Sequence, residues 1–197
     1  MTTDQVPLDW TCGPARVIDV TSLVGSIDKP KWPASPEITV AHIQAAEKAH
    51  GALKPGEVVL FRTGHLDTYL DWESQNPLYK THPVGWNAAM AERDKAQVWA
   101  DPLSGKSEGW PAPGPDAIVY LKSKGIRCVA TDAPDLGGVD PKRALMTYWA
   151  LGSNEMVGVE FLHHLGSLEK APQGYFLFAA LKIRNCHGGP GRAIVLY

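Results

Sequence analysis

The stretch EVVLFRTG, residues 57–64, decides which fold to expect. Residues 57–61 (EVVLF) form a short apolar run, which is typical of a strand buried on both faces inside a sheet. Arg62, Thr63 and Gly64 follow at once and suit a turn. Two more short strands, ARVIDVT at 15–21 and RCVAT at 127–131, are predicted on either side of this one along the chain.

Helices are predicted between the strands. Three of them are each followed or stopped by a glycine: 41–50, 116–124 and 141–151. A fourth stretch of helical composition spans 87–100. The remaining strands are predicted at 38–40, 156–161, 175–183 and 193–196. Interleaved strands and helices predict an α/β fold, with a mixed sheet covered by helices in a single domain over 1–197.

Composition narrows the function classes. The 197 residues are 44% hydrophobic and carry a formal net charge of -2, which argues against a broad nucleic-acid footprint. The sequence contains no run of 18 apolar residues, so we expect no membrane partner. The first eight residues lack the pattern of a signal peptide. Three scattered cysteines do not form a disulfide framework. We therefore expect a cytoplasmic protein.

Two acidic residues stand out at strand ends. Asp132 follows the strand at 127–131, where α/β folds place ligand sites, although an Asx turn explains it equally well. Glu160 lies on the strand predicted at 156–161, and period two would place His164 on the same face. A carboxylate and an imidazole so placed could hold a metal ion or share a proton. A buried pair with a basic group would explain Glu160 without any function.

Two aromatic residues are candidates for substrate contact. His65 lies in TGHLD, where His65 and Asp67 could share a metal ion, but a catalytic zinc needs three protein ligands and a polar turn is the simpler explanation. Trp110 lies in the loop GKSEGWPAPGP, residues 105–115, among glycines and prolines. Such a tryptophan suits a rigid wall or lid over a pocket, or else a well-packed surface loop.

Five segments, taken in order, resemble the cyclase family of metal-dependent hydrolases, which includes bacterial kynurenine formamidase. They are 2–21 (TTDQVPLD, then GPARVIDVT), 59–64 (VLFRTG), 114–134 (ending CVATDAP), 157–168 (VGVEFLHHLGSL) and 175–196 (with GGPGRAIVL). The resemblance implies a swivelling β/β/α-type domain. It also implies a hydrolase that opens or closes amide or lactone bonds, on formylkynurenine-like or cyclic ester substrates, with water activated by zinc or manganese.

The resemblance also implies roles for individual residues. Glu160 matches the family's metal-binding glutamate and would be a ligand or a base. Asp132 would orient a neighbouring group. Tyr148 occupies the place of a family histidine and could donate a hydrogen bond to a developing oxyanion. The family's main ligand motif, HxGTHxDxPxH, would precede Thr2, so the domain is expected to be N-terminally short.

Two interpretations of that shortness remain open. An upstream segment could supply the ligand motif, or the short chain could have lost the catalytic activity. The first predicts an enzyme with a small-molecule substrate. The second predicts a non-catalytic module that binds a small molecule in the retained pocket. Missing strands and the habit of the family both favour a homo-oligomer.

Overall fold

The computed structural model describes residues 1–26, 34–66, 102, 108–168 and 172–197. The helices are α1 (Val40–His50), α2 (Pro115–Ser123) and α3 (Pro141–Ser153). The strands are β1 (Cys12–Asp19), β2 (Glu37–Ile38), β3 (Val58–Arg62), β4 (Ala112–Pro113), β5 (Cys128–Thr131), β6 (Val157–Val159), β7 (Gln173–Ala180) and β8 (Gly191–Leu196). Short 3-10 turns occupy Leu8–Trp10, Thr21–Leu23 and Leu165–Leu168.

Six strands form one mixed sheet in the order β6-β5-β3-β1-β7-β8. The first four are mutually parallel, whereas β7 and β8 run antiparallel to their neighbours. In the parallel part, Val59 is paired with both Arg16 and Val129. The α/β fold with a mixed sheet, predicted from the sequence, is confirmed. Because β1, β3, β5 and β6 are parallel, their carboxyl ends meet at one edge of the sheet.

Strand β3 is the centre of the core. Val59 and Phe61 point into a cluster with the helices, while Val58 and Leu60 point to the opposite face, where Phe176 of β7 packs. These five side chains are at most 1% exposed. Each such burial contributes about 1.5–3 kcal/mol, so the run in 57–61 fixes a rigid frame for whatever follows the strand.

Helix α3 is held firmly at its start. Asp140 is its N-cap and accepts hydrogen bonds from the backbone N–H groups of Lys142 and Arg143. Pro141 occupies the first turn, where its missing N–H costs nothing. Farther along, the buried Thr147 hydroxyl donates to the Pro113 carbonyl at 2.9 Å. The next residue, Tyr148, is therefore presented from a helix whose position is fixed.

Several predicted boundaries shift. The strand predicted at 15–21 ends at Asp19, because Thr21 begins a 3-10 turn. The strand predicted at 156–161 ends at Val159, and α3 continues through Gly152 to Ser153. The helix predicted at 87–100 lies outside the described residues. Within the described ranges, no helix has the length and apolar character that crossing a membrane requires.

Candidate functional site

Asp132 joins the carboxyl ends of two neighbouring strands. It follows β5 and is 1% exposed. Its Oδ1 accepts hydrogen bonds from the Thr63 N–H at 2.7 Å and the Thr63 hydroxyl at 2.6 Å, and its Oδ2 accepts one from the Gly64 N–H at 2.8 Å. These donors follow β3 and do not belong to the loop of Asp132. The carboxylate thereby orients the turn that carries His65, whose N–H donates to the Thr63 hydroxyl.

Glu160 and Tyr148 form a hydrogen-bonded pair at the same edge. Glu160 is the first residue after β6, and its Oε1 accepts hydrogen bonds from the Leu136 N–H at 2.9 Å and from the Tyr148 hydroxyl at 2.5 Å. The Tyr148 side chain remains 42% exposed. Its ring lies against Gly137, where an added Cβ would come within 2.9 Å of Tyr148 Cε2. Tyr148 is thus accessible to solvent, and its ring packs against Gly137.

The electrostatics of this pair keep the tyrosine protonated. Burial raises the pKa of Glu160, and the nearby Asp135 carboxylate acts in the same direction, whereas hydrogen bonds from Tyr148 and Leu136 oppose them. Burial also raises the pKa of Tyr148, with a further contribution from its bond to Glu160. At neutral pH the Tyr148 hydroxyl therefore acts as a donor.

Residues 135–138, here called the Asp135 turn, lie beside the pair. Asp135 Oδ1 accepts hydrogen bonds from Trp110 Nε1 at 3.0 Å and from the N–H groups of Gly137 and Gly138 at 2.8 and 2.7 Å. Trp110 in turn packs edge-on against His65, with ring centroids 5.8 Å apart. The turn therefore links Trp110, and through it His65, to Leu136, whose N–H contacts Glu160.

Trp110 and His65 are buried next to the Asp135 turn. Each is 2% exposed, and Trp110 packs in a small apolar cluster with Ala112, Ala133 and Val139. Of the two interpretations of the tryptophan loop, the well-packed one describes Trp110 in this structure. Substrate contact by Trp110 and His65 stays a prediction, and Asp67, the proposed partner of His65, lies outside the described residues.

The argument that placed His164 on one face with Glu160 is wrong. The strand ends at Val159, and Phe161 and His164 have φ values of 62° and 66°, so the alternation of a strand does not continue. The His164 ring packs edge-on against His163 with centroids 3.9 Å apart. It lines a cavity of about 230 Å³ together with Phe176 and Val195, near β7 and β8.

The described residues do not fit a metal ion by themselves. In the part of the chain that the structure describes, no three His, Cys, Asp or Glu side chains form a group that could hold one. The carboxylates are instead engaged by hydrogen-bond donors: Asp132 by Thr63 and Gly64, and Glu160 by Tyr148 and Leu136. An open catalytic zinc needs three protein ligands.

Some contributors were not singled out from the sequence. The Leu136 N–H donates a hydrogen bond to Glu160, although Leu136 is an apolar core residue. Its side chain therefore does not predict this contact. Asp135, three positions after Asp132, was not predicted as a site residue. The signal that could have identified it is the sequence Asp-Leu-Gly-Gly, since an aspartate commonly accepts backbone N–H bonds from the residues two and three positions ahead.

These features define a mixed α/β protein that pairs a carboxylate with a tyrosine at the carboxyl ends of its parallel strands. The chain belongs to the cyclase family, because the family model described as "Putative cyclase" matches residues 1–137. It is also similar to the isatin hydrolase of Roseibium aggregatum, with 31% identity over 201 residues, which cover 95% of this chain and 65% of that protein.

Solved structures show the same fold. A crystal structure of an isatin hydrolase bound to the product analogue thioisatinate superposes with a TM-score of 0.68 at 24% identity, over 100% of this chain and 64% of that chain. A structure described as a potential metal-dependent hydrolase with cyclase activity gives a TM-score of 0.59 at 21% identity, over 99% and 70% of the two chains. The chain thus spans a little under two thirds of the isatin hydrolases that it matches.

Proposed function

We propose that the protein acts as a cyclase-family hydrolase on an amide or lactone carbonyl of a small aromatic substrate. The observation that carries the proposal is the Glu160–Tyr148 pair, which offers a proton acceptor and a proton donor at one accessible point of the sheet edge. The isatin hydrolase relatives support this substrate class, because isatin is a cyclic aromatic amide. Formylkynurenine-like amides and cyclic esters belong to the same class.

The residues of this chain suggest how the reaction would proceed. Both donors on Glu160 contact Oε1, and among the described residues no donor reaches Oε2. Oε2 is therefore placed to accept a proton from an attacking water, whose oxygen adds to the carbonyl carbon. The Tyr148 hydroxyl has one hydrogen, which it donates to Glu160 Oε1 in this structure, and it would turn away from Glu160 to donate to the oxygen that becomes negative. When the bond to nitrogen or oxygen breaks, Glu160 returns the proton to the leaving group.

The family resemblance also points to zinc or manganese. Such an ion would need ligands in addition to the described ones, so no step above depends on it. A homo-oligomer and a cytoplasmic location likewise stay predictions.

A second candidate is a binding module without catalysis. It is favoured by the way in which the carboxylates of Asp132 and Glu160 are engaged by donors from the protein itself. Such a module would bind the same small aromatic amides and release them unchanged. The two candidates therefore differ in turnover and not in the ligand.

The test is to incubate the 197-residue protein with isatin, with an N-formyl aromatic amide and with an aromatic lactone, and to follow ring opening or deformylation by absorbance. Zinc or manganese is added in parallel, and bound metal is measured by mass spectrometry. We expect turnover of at least one substrate, lost in Glu160→Gln and retained in Glu47→Gln, a matched change at a distant glutamate. Saturable binding without turnover would instead support the module.

A further inference from the structure

The Asp135 turn links two parts of the site through a single peptide unit. On one side Asp135 Oδ1 accepts the Trp110 Nε1 hydrogen at 3.0 Å. On the other side the N–H of the next residue, Leu136, donates to Glu160 Oε1 at 2.9 Å. The Leu136 side chain is fully buried, so the turn cannot swing outward without exposing apolar surface. The orientation of Asp135 thus determines where the Leu136 N–H points.

The two glycines of the turn allow close packing on both sides. A Cβ on Gly137 would lie 2.9 Å from the Tyr148 ring, so the turn is the surface on which that ring rests. Gly138 has a φ of 71°, and a Cβ there would lie 2.7 Å from Arg143 Nη2. Asp135 holds both glycine N–H groups on one carboxylate oxygen. Its side chain therefore shapes the surface beneath Tyr148 as well as the donor to Glu160.

We propose that Asp135 is a positioning residue, whose carboxylate fixes the Asp135 turn so that the Leu136 N–H and the Tyr148 hydroxyl converge on Glu160 Oε1. Asp135 acts through these neighbours and contacts no reacting atom. Its effect on rate rests on the proposed function. Its effect on the Glu160–Tyr148 hydrogen bond is independent of any reaction, and the two can be measured separately.

The geometric effect is tested by proton NMR of tyrosine hydroxyls. A second tyrosine, Tyr120, donates to Glu47 at the same 2.5 Å in another part of the molecule and serves as an internal control. Tyr148→Phe and Tyr120→Phe assign the two downfield signals. We expect Asp135→Ala to shift or abolish the Tyr148 signal and to leave the Tyr120 signal in place. Asp135→Asn keeps an acceptor oxygen and is expected to retain both signals.

The kinetic effect is tested on the same variants. Displacement of a catalytic group by a fraction of an ångström to an ångström costs about tenfold to a hundredfold in rate. We therefore expect Asp135→Ala to lower kcat by about that factor with KM within about twofold, because the turn orients reacting groups and does not bind the substrate. Asp135→Asn is expected to restore most of kcat.

Two results would overturn the proposal: an unchanged Tyr148 signal in Asp135→Ala, or an equal shift of both tyrosine signals, which would indicate general loosening. If Asp135→Ala does not fold, Trp110→Phe replaces it, since this change removes the indole donor and keeps a ring. A Tyr148 signal unaffected by Trp110→Phe would then count against the proposal. If the wild type hydrolyses nothing, the proposed function fails, and the NMR comparison alone decides the role of Asp135.

Discussion

The described part of the molecule contains the same three-part arrangement in two places, which differ in their electrostatic settings. Glu160 accepts hydrogen bonds from the Leu136 N–H and the Tyr148 hydroxyl. Glu47, on α1, accepts hydrogen bonds from the Leu53 N–H at 3.0 Å and from the hydroxyl of Tyr120, on α2. In both places a glutamate joins a backbone amide to a tyrosine on a helix.

The charged neighbours differ. Lys124 Nζ lies 3.2 Å from Glu47 Oε1, whereas among the described residues it is the Asp135 carboxylate that acts on Glu160. Burial acts to raise the pKa of Glu47, but the hydrogen bonds from Tyr120, Leu53 and Lys124 outweigh it, so the pKa is lowered. At Glu160 burial prevails and the pKa is raised.

The difference separates a stabilising contact from one whose electrostatics are typical of a functional site. The Glu47 carboxylate is compensated by a cation and links α1 to α2 and Lys124. The Glu160 carboxylate is buried beside a like charge, which costs stability and is typical of functional sites. The geometry of the hydrogen bonds alone would not distinguish them.

The largest expected effect separates the two tyrosines. Tyr148→Phe should lower kcat by about a hundredfold with little change in KM, because the lost hydroxyl stabilises charge that develops only in the transition state. Tyr120→Phe should leave kcat unchanged and lower the free energy of unfolding by about 1 kcal/mol. Steady-state kinetics and urea unfolding measure both. Equal losses of kcat and of substrate affinity in Tyr148→Phe would exclude the oxyanion role.

A smaller effect is expected from Gly137→Ala, which touches no polar atom. The added Cβ would lie 2.9 Å from Tyr148 Cε2 and 2.7 Å from Ala144 Cβ, so the Asp135 turn must move away from the helix that carries Tyr148. We expect kcat to fall by about tenfold, since the hydroxyl is displaced without being removed. Gly152→Ala, on the same helix as Tyr148 and with no atom near its added Cβ, is the control and should keep wild-type kcat. Equal activity in both variants would show that the position of the ring does not matter.

The two glutamates should differ in the sign of their contribution to stability. Glu47→Gln removes charge-assisted hydrogen bonds and should destabilise the fold by about 1–2 kcal/mol. Glu160→Gln removes a buried charge and should be neutral or stabilise the fold by up to about 1 kcal/mol. Urea unfolding at pH 7 gives both values. A Glu160→Gln variant as unstable as Glu47→Gln would remove the distinction between the two sites.

The smallest expected effect is a pH dependence. A lowered pKa means that Glu47 stabilises the fold above the ordinary glutamate value of about 4.3 and that this contribution is lost as pH falls through the folded value. Lys124→Met should slightly lower the free energy of unfolding at pH 7, and the difference from wild type should shrink at pH 3. Unfolding measured at the two pH values tests this. A difference independent of pH would indicate lost packing of the lysine side chain.

The sequence predicted the frame of the molecule well because the frame depends on local patterns. The apolar run of β3 and the glycines after α1 and α2 place those elements within one or two residues of their observed bounds. The predicted ends of strands were wrong where the backbone conformation changes without a glycine or proline to mark the change. The positive φ values of Phe161 and His164 are such a case.

The site was only partly predictable. Asp132, Glu160 and Tyr148 were proposed from strand ends and from the family resemblance, and the structure places all three near one sheet edge. The contacts that define them depend on tertiary packing: Tyr148 reaches Glu160 across twelve positions, and Tyr120 reaches Glu47 across 73. Nothing local to Glu47 distinguishes it from any helical glutamate, so its resemblance to Glu160 could emerge only from the three-dimensional fold.

The position of Tyr148 has an evolutionary consequence. Its helix is capped by Asp140 and anchored through Thr147, so a substitution at the next residue changes the chemistry of the site without moving the backbone that presents it. Tyrosine and histidine codons differ in a single base. A single base change would therefore replace the phenol by an imidazole on the same support beside Glu160, while the sheet remains as it is.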